Sequence, residues 1–222
     1  MNPIKVLVVE DSLVFRELLV QGLNMDPSIR VVGVAKDPFE ARDAILKYHP
    51  DVMTLDVELP RMSGIEFLRK LMPQYPLPVV VISSLSDKVF DAMNAGAVDF
   101  VAKPAVSERK QLESFIRNEL LVKIKIASTA KISRIKQQIM PQEPQSFTSH
   151  EKNLVIAIGA STGGTEAILD VVRHFPARMP GIVITQHMPP GFTAMYAERL
   201  NRICKLEVKE AKHGDKVQPG LI

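Results

Sequence analysis

Short apolar, β-branched runs alternate along the chain with longer stretches of helical spacing. Ile4–Val9, Arg30–Ala35, Asp51–Leu55, Pro78–Ile82 and Val98–Ala102 are near-continuous hydrophobic segments, the pattern of strands buried on both faces. Between them, Ser12 is a natural N-cap ahead of Phe15, Leu18, Leu19 and Leu23, and Gly64–Met72 and Ser86–Asn94 repeat the helical spacing. The pattern predicts five βα units, closed by a helix over Ser107–Lys125. Strands joined by crossover helices pair in parallel, so the expected fold is α/β, a doubly wound parallel sheet between two helical layers.

The pattern then breaks. From about Ala127 to Lys152 the chain is polar, with Pro141, Pro144 and the glutamines Gln137, Gln138, Gln142 and Gln145, a composition that predicts a linker. Strand and helix signals resume at Leu154–Ile158, Thr165–His174, Gly181–Thr185 and Ala194–Ile203. The expected organisation is a first domain over 1–126, a linker over 127–152 and part of a second α/β domain over 153–222. About 70 residues leave a short parallel sheet with uncovered faces, so a truncated chain is expected.

Composition narrows the class. Hydrophobic residues at 46% and charged residues at 24% fit a packed globular protein rather than a disordered one. The single cysteine, Cys204, excludes an intramolecular disulfide and any multi-cysteine metal site, and suits a reducing, cytoplasmic setting. No apolar run is long enough for a membrane span, and none is expected to insert. The net charge of +3 is unevenly spread: residues 1–104 hold 11 basic and 14 acidic side chains, 105–150 hold 8 and 4, and 151–222 hold 9 and 7. That distribution lacks the basic stripe of a nucleic-acid reader, so no nucleic-acid partner is expected.

Functional groups of an open parallel sheet gather at the carboxyl ends of its strands. Glu10 and Asp11 follow the first predicted strand, Asp56 the third, Ser83 the fourth and Lys103 the fifth. Clustered carboxylates repel one another unless a hard cation such as Mg²⁺ or an ammonium group neutralises them. Asp56 could then attack a phosphoryl donor while the cation and Lys103 balance the charge. Each residue alone has a structural reading, as a cap, a strand end or a surface charge; the ordered set VVEDS, LDVELPRMSG, VISS and GAVDFVAKP does not.

That set resembles the receiver domain of bacterial response regulators over about residues 1–125. The resemblance implies strand order 2-1-3-4-5, Asp56 as phosphoacceptor, and Mg²⁺ held by Glu10, Asp11, Asp56 and the backbone carbonyl of Glu58. It further implies phosphoryl contacts from Ser83 and Lys103, and an aromatic switch at Phe100. An ordinary core phenylalanine is an equal reading of Phe100.

In the second domain, Gly159–Gly163 fits G-x-S-x-G between a strand and a helix, presenting Ser161 at a tight turn. A glycine-rich phosphate-binding turn is an equal reading of those five residues. His187 follows the next strand, so one crossover brings a base to the serine's edge of the sheet. IGASTGGTEAI and HMPPGF together resemble the chemotaxis protein-glutamate methylesterases, whose receiver, linker and catalytic order this chain repeats. The resemblance implies Ser161 as nucleophile, His187 as general base and Thr162 beside them. It also implies a receiver that covers the catalytic cleft until phosphorylated, a chemotaxis histidine kinase as phosphodonor and methyl-accepting receptors as substrate. The family's third triad member, an aspartate, has no match here: Asp170 and Asp215 stand outside its motif. A non-catalytic phospho-receiver module is the alternative expectation, and a DNA-binding regulator is disfavoured for want of a recognition helix.

Overall fold

The computed structural model describes residues 2–84, 86–104, 109–130 and 154–222. The chain divides into two compact units, Met1–Lys136 and Gln137–Ile222. The expected linker lies, from residue 131 onward, outside the described residues, as does the Ser107 start expected for the helix closing the first domain.

In the first unit β1 (Ile4–Val9), β2 (Ile29–Ala35), β3 (Val52–Asp56), β4 (Val79–Ser83) and β5 (Asp99–Ala102) form one parallel sheet in the order β2-β1-β3-β4-β5. β3 and β4 are buried along their whole length, as strands covered on both faces must be. The covering helices are α1 (Leu13–Asn24), α2 (Pro38–Tyr48), α3 (Gly64–Leu71), α4 (Ser86–Asn94), and α5 (Arg109–Phe115) continuing through a π-helical segment, Ile116–Leu120, into α6 (Leu121–Ala127).

Local chemistry sets where these helices start. Ser12, Asp37 and Ser63 are N-caps whose side-chain oxygens accept from the backbone N–H groups of Phe15, of Phe39 and Glu40, and of Glu66. Each satisfies donors that the first helical turn leaves free. Pro38 follows Asp37 at the first helical position, where its missing N–H is no loss. Gly64 is required by close approach: a Cβ there would stand 2.3 Å from the carbonyl oxygen of Asp56. α3 is thereby seated directly against the end of β3. Beneath the sheet, Phe15, Leu19 and Leu23 of α1 pack with Val6, Val8, Val80, Ile82, Leu120 and Ile124 into one core cluster.

The second unit is smaller. β6 (Val155–Ala160) and β7 (Gly181–Gln186) pair in parallel from Val155↔Gly181 to Ala160↔Gln186, with α7 (Gly164–Val172) and α8 (Phe192–Ile203) following each strand. The two helices are tied by Tyr196, whose hydroxyl donates to the carbonyl of Thr165 at 2.7 Å, and by the Arg199–Glu166 ion pair at 2.8 Å. Met179, Ile182 and Leu206 make a small core. Beyond α8 a bridge joins Glu207 to Leu221. β6 alternates exposed and half-buried positions, and Leu154, Val155, Val171 and Val183 remain exposed, so the expectation of a sheet with uncovered faces describes this unit.

Candidate functional sites

The first site lies where β1, β3 and β5 end. Glu10 follows β1 and is 1% exposed; Asp56 closes β3 at 4%; Asp11 is exposed. One carboxylate oxygen from each lies within 4.8 Å of the others, an arrangement able to hold a metal ion. Lys103, on the loop after β5, reaches into this cluster. Its Nζ donates to both Glu10 oxygens at 2.9 Å and to Asp56 Oδ2 at 2.6 Å, and it stands 4.7 Å from the centre of the Phe15 ring. Its backbone N–H donates to the carbonyl of Ser83 at 2.8 Å, which links the loop to the fully buried end of β4.

Three carboxylates meeting one ammonium leave the pocket short of positive charge. Burial, with the neighbouring charge of Asp56 and against the pull of Lys103, pushes the Glu10 carboxyl up to about 7. Burial disfavours the charged form of Lys103, but its hydrogen bonds to Asp56 and Glu10 outweigh this and hold the ammonium above its usual value. Further donors fix the carboxylates in place: Ser12 N–H donates to Glu10 Oε1 at 3.1 Å and Glu58 N–H to Asp56 Oδ1 at 2.9 Å. Sequence reasoning missed Ser84, whose hydroxyl donates to Glu58 Oε2 at 3.3 Å, and Arg16, whose guanidinium donates to the carbonyls of Glu10 and Asp11 at 2.6 and 3.2 Å.

Phe100 lies buried in β5 with its ring packed edge-on to Phe90, centroids 6.3 Å apart. Behind it the Lys123 ammonium donates to Asp99 Oδ1 and to the carbonyl of Phe100, both at 2.8 Å, and stands 5.4 Å from the Phe100 ring centre. A buried lysine was not foreseen. LLVKIKIA reads as an amphipathic helix, and only the partner carboxylate of Asp99 on another element makes burial tolerable.

The second site lies at the ends of β6 and β7. Ser161 and His187 each follow directly on a strand, both are exposed, and His187 N–H donates to the carbonyl of Ala160 at 3.2 Å. The two candidate residues therefore share one sheet edge. Among the described residues neither side chain has a hydrogen-bond partner. Gly163, at φ +74°, turns the chain from Ser161 into α7, a left-handed conformation that glycine adopts without a Cβ clash. Asp170 and Asp215 are engaged elsewhere, with Arg173 and Lys209 at 3.0 Å each, so neither orients His187. Cys204 caps the end of α8, half-buried, and burial pushes its thiol up, away from the reactive thiolate. A cavity of about 520 Å³ opens between β7, α8 and the last residues, lined by Ile182, Ile184, Tyr196, Leu200 and Ile222; Ser161 and His187 are not part of its lining. No helix among the described residues is long and apolar enough to cross a membrane.

Known proteins follow the same division. Residues 6–117 match the response regulator receiver domain family and residues 156–222 the CheB methylesterase family. A protein-glutamate methylesterase/protein-glutamine glutaminase 2 of Syntrophomonas wolfei is 59% identical over 219 residues, covering 99% of this chain and 64% of the relative. The protein-glutamate methylesterase/protein-glutamine glutaminase of Syntrophotalea carbinolica is 52% identical over 229 residues, covering 99% of this chain and 65% of the relative. The chain thus spans just under two thirds of the length of these relatives. Among solved structures, the response regulator domain of Thermotoga maritima CheB is similar at 37% identity and a TM-score of 0.54, covering 59% of this chain and 99% of that one. The receiver match extends over half of the chain, and the chain belongs to the response regulator receiver domain family.

Proposed function

We propose that this protein is a chemotaxis response regulator that hydrolyses glutamate methyl esters, and deamidates glutamines, on methyl-accepting receptors when Asp56 is phosphorylated. On this reading residues 1–126 are the receiver, 127–152 the linker and 153–222 methylesterase sequence. The protein works in the cytoplasm with a chemotaxis histidine kinase as phosphodonor. The observation that supports the reading is the backbone hydrogen bond from His187 to Ala160, the residue before Ser161, at one sheet edge.

In the receiver, the Asp56 carboxylate attacks the phosphorus of the donor, the bond from phosphorus to the donor's leaving group breaks with its electron pair going to that group, and Asp56 becomes an acyl phosphate. Lys103 already holds Asp56 Oδ2 and is placed to balance charge on the incoming phosphoryl oxygens, with Ser83 at the neighbouring strand end and Phe100, on the strand paired with it, as the residue that senses the change. The donor set of Glu10, Asp11, Asp56 and the carbonyl of Glu58 is all oxygen and in excess of negative charge, which fits Mg²⁺. When bound, that ion would screen the carboxylates and neutralise charge on the phosphoryl group.

In the esterase, His187 takes the proton of Ser161 as its oxygen attacks the ester carbonyl. Methanol leaves with that proton, and water then releases the glutamate from the acyl-enzyme. The first turn of α7 carries N–H groups without helical partners, suited to the oxyanion, and Thr162 borders them. Glutamine deamidation is the same sequence with ammonia as leaving group. One observation favours a second reading, a non-catalytic phospho-receiver module: among the described residues the Ser161 and His187 side chains have no hydrogen-bond partner.

Methanol release from a methylated receptor by the native-length gene product decides between them. Ser161→Ala should remove it while Cys204→Ala leaves it nearly intact. Equal release by the serine variant would overturn the esterase reading.

A further inference from the structure

Strand pairing between β6 and β7 stops at Ala160↔Gln186, one residue short of both Ser161 and His187. Beyond that point the His187 N–H bond to the Ala160 carbonyl continues the backbone ladder, and a side chain adds to it. Gln186 Nε2 donates to the carbonyl of Ser161 at 2.8 Å and to the carbonyl of His187 at 3.1 Å. The Ser161 carbonyl also accepts from Gly164 N–H at 2.8 Å, so both of its lone pairs are used. A peptide group is planar, so pinning its carbonyl pins the plane that leaves the residue. The Gln186 amide therefore fixes the backbone of both reacting residues at once.

Two more features show that the site is shaped around this amide. Gln186 Oε1 is buried without a hydrogen-bond partner among the described residues, an arrangement that is unfavourable in itself and is offset here by the two bonds made by Nε2. Gly164 leaves it room, since a Cβ there would lie 2.2 Å from Oε1.

Resting on the esterase reading above, we infer that Gln186 is a positioning residue, clamping the carbonyls of Ser161 and His187 so that hydroxyl and imidazole meet in attacking geometry. It touches no reacting atom. Its loss should misplace the pair, and misplacement on the scale of an ångström costs up to about a hundredfold in rate.

The test measures kcat and KM for methanol release in the native-length protein, with thermal unfolding of each variant alongside. Gln186→Met keeps the length and removes both donors; it should lower kcat by about tenfold or more with KM unchanged. Gln186→Asn keeps the amide on a shorter stem and should fall between the two, and it carries the test if the Met variant does not fold. A kcat within about twofold of the parent, or a raised KM at unchanged kcat, would overturn the positioning role. Ser161→Ala and His187→Ala in the same assay separate the two ideas: if they retain activity, the esterase reading falls and this inference with it. If they are inactive while the Gln186 variants match the parent, only this inference falls.

Discussion

The two units meet the demands of a reactive site in opposite ways. In the first, β1, β3, β4 and β5 are closed over by helices, and the pocket at their ends is tied together by Lys103, which is bonded to Glu10 and Asp56. In the second, two strands present Ser161 and His187 at an exposed edge, held among the described residues through backbone and through Gln186. The difference follows from charge. Buried carboxylates need a counter-ion or a proton, and here the counter-ion is built into the fold. An exposed serine and histidine carry no such demand, and their alignment can rest on weaker contacts.

The sharpest way to break this comparison is at its most reactive group. Asp56→Asn should abolish aspartyl-phosphate formation from a small phosphodonor in the presence of Mg²⁺, because an amide oxygen is a far weaker nucleophile than a carboxylate. Retained acid-stable label in that variant would place the phosphoacceptor elsewhere.

Next in size is the buried pair behind Phe100. Lys123→Met strands the Asp99 carboxylate, one oxygen of which already lacks a partner, and should cost about 3 kcal/mol by urea unfolding. The double variant with Asp99→Asn should recover most of that. A single variant as stable as the parent would show that this lysine is not the counter-ion the fold relies on.

Lys103→Met should be milder, about 1–3 kcal/mol, because the pocket is partly open and Glu10, pushed up to about 7, can take a proton in place of the lost ammonium. Added Mg²⁺ should restore more stability to this variant than to the parent. Equal Mg²⁺ effects on both would argue that cation and lysine do not share the same carboxylates.

The smallest effect concerns α6. Hydrogen bonds from Lys125, then from Ser28, hold the Asp26 carboxyl down at about 2. A folded-state value below the unfolded one, about 3.9, means that the contribution is complete above the unfolded value and is lost as pH falls through 2. Asp26→Asn should therefore lower stability at neutral pH by no more than about 1 kcal/mol, as for other exposed ion pairs, and the two proteins should converge at the acid end. A gap that persists in acid would assign the effect to packing.

Much of this was legible in the chain itself. The strands of the first unit stand within a residue or two of their hydrophobic runs, since a strand buried on both faces leaves little choice of register. The site residues at strand ends were legible for the same reason: the parallel topology alone sends them to one edge. What escaped notice was non-local. Nothing near Lys123 announces Asp99, which lies 24 residues away on another element. Gln186 looks like the last residue of a strand, and its bond to the Ser161 carbonyl exists only once β6 and β7 are paired. The π-helical turn at Ile116–Leu120 was likewise hidden, because a single i→i+5 turn leaves the apolar spacing on either side almost unchanged.

The claim that joins the two units is that phosphate on Asp56 governs the chemistry of Ser161. The direct measurement is methanol release from methylated receptors by the native-length protein, with and without a small phosphodonor and Mg²⁺, for the parent and for Asp56→Asn. Release by the parent should rise with the donor while the variant stays at its basal rate. Equal stimulation of the variant, or none of a fully phosphorylated parent, would contradict the account.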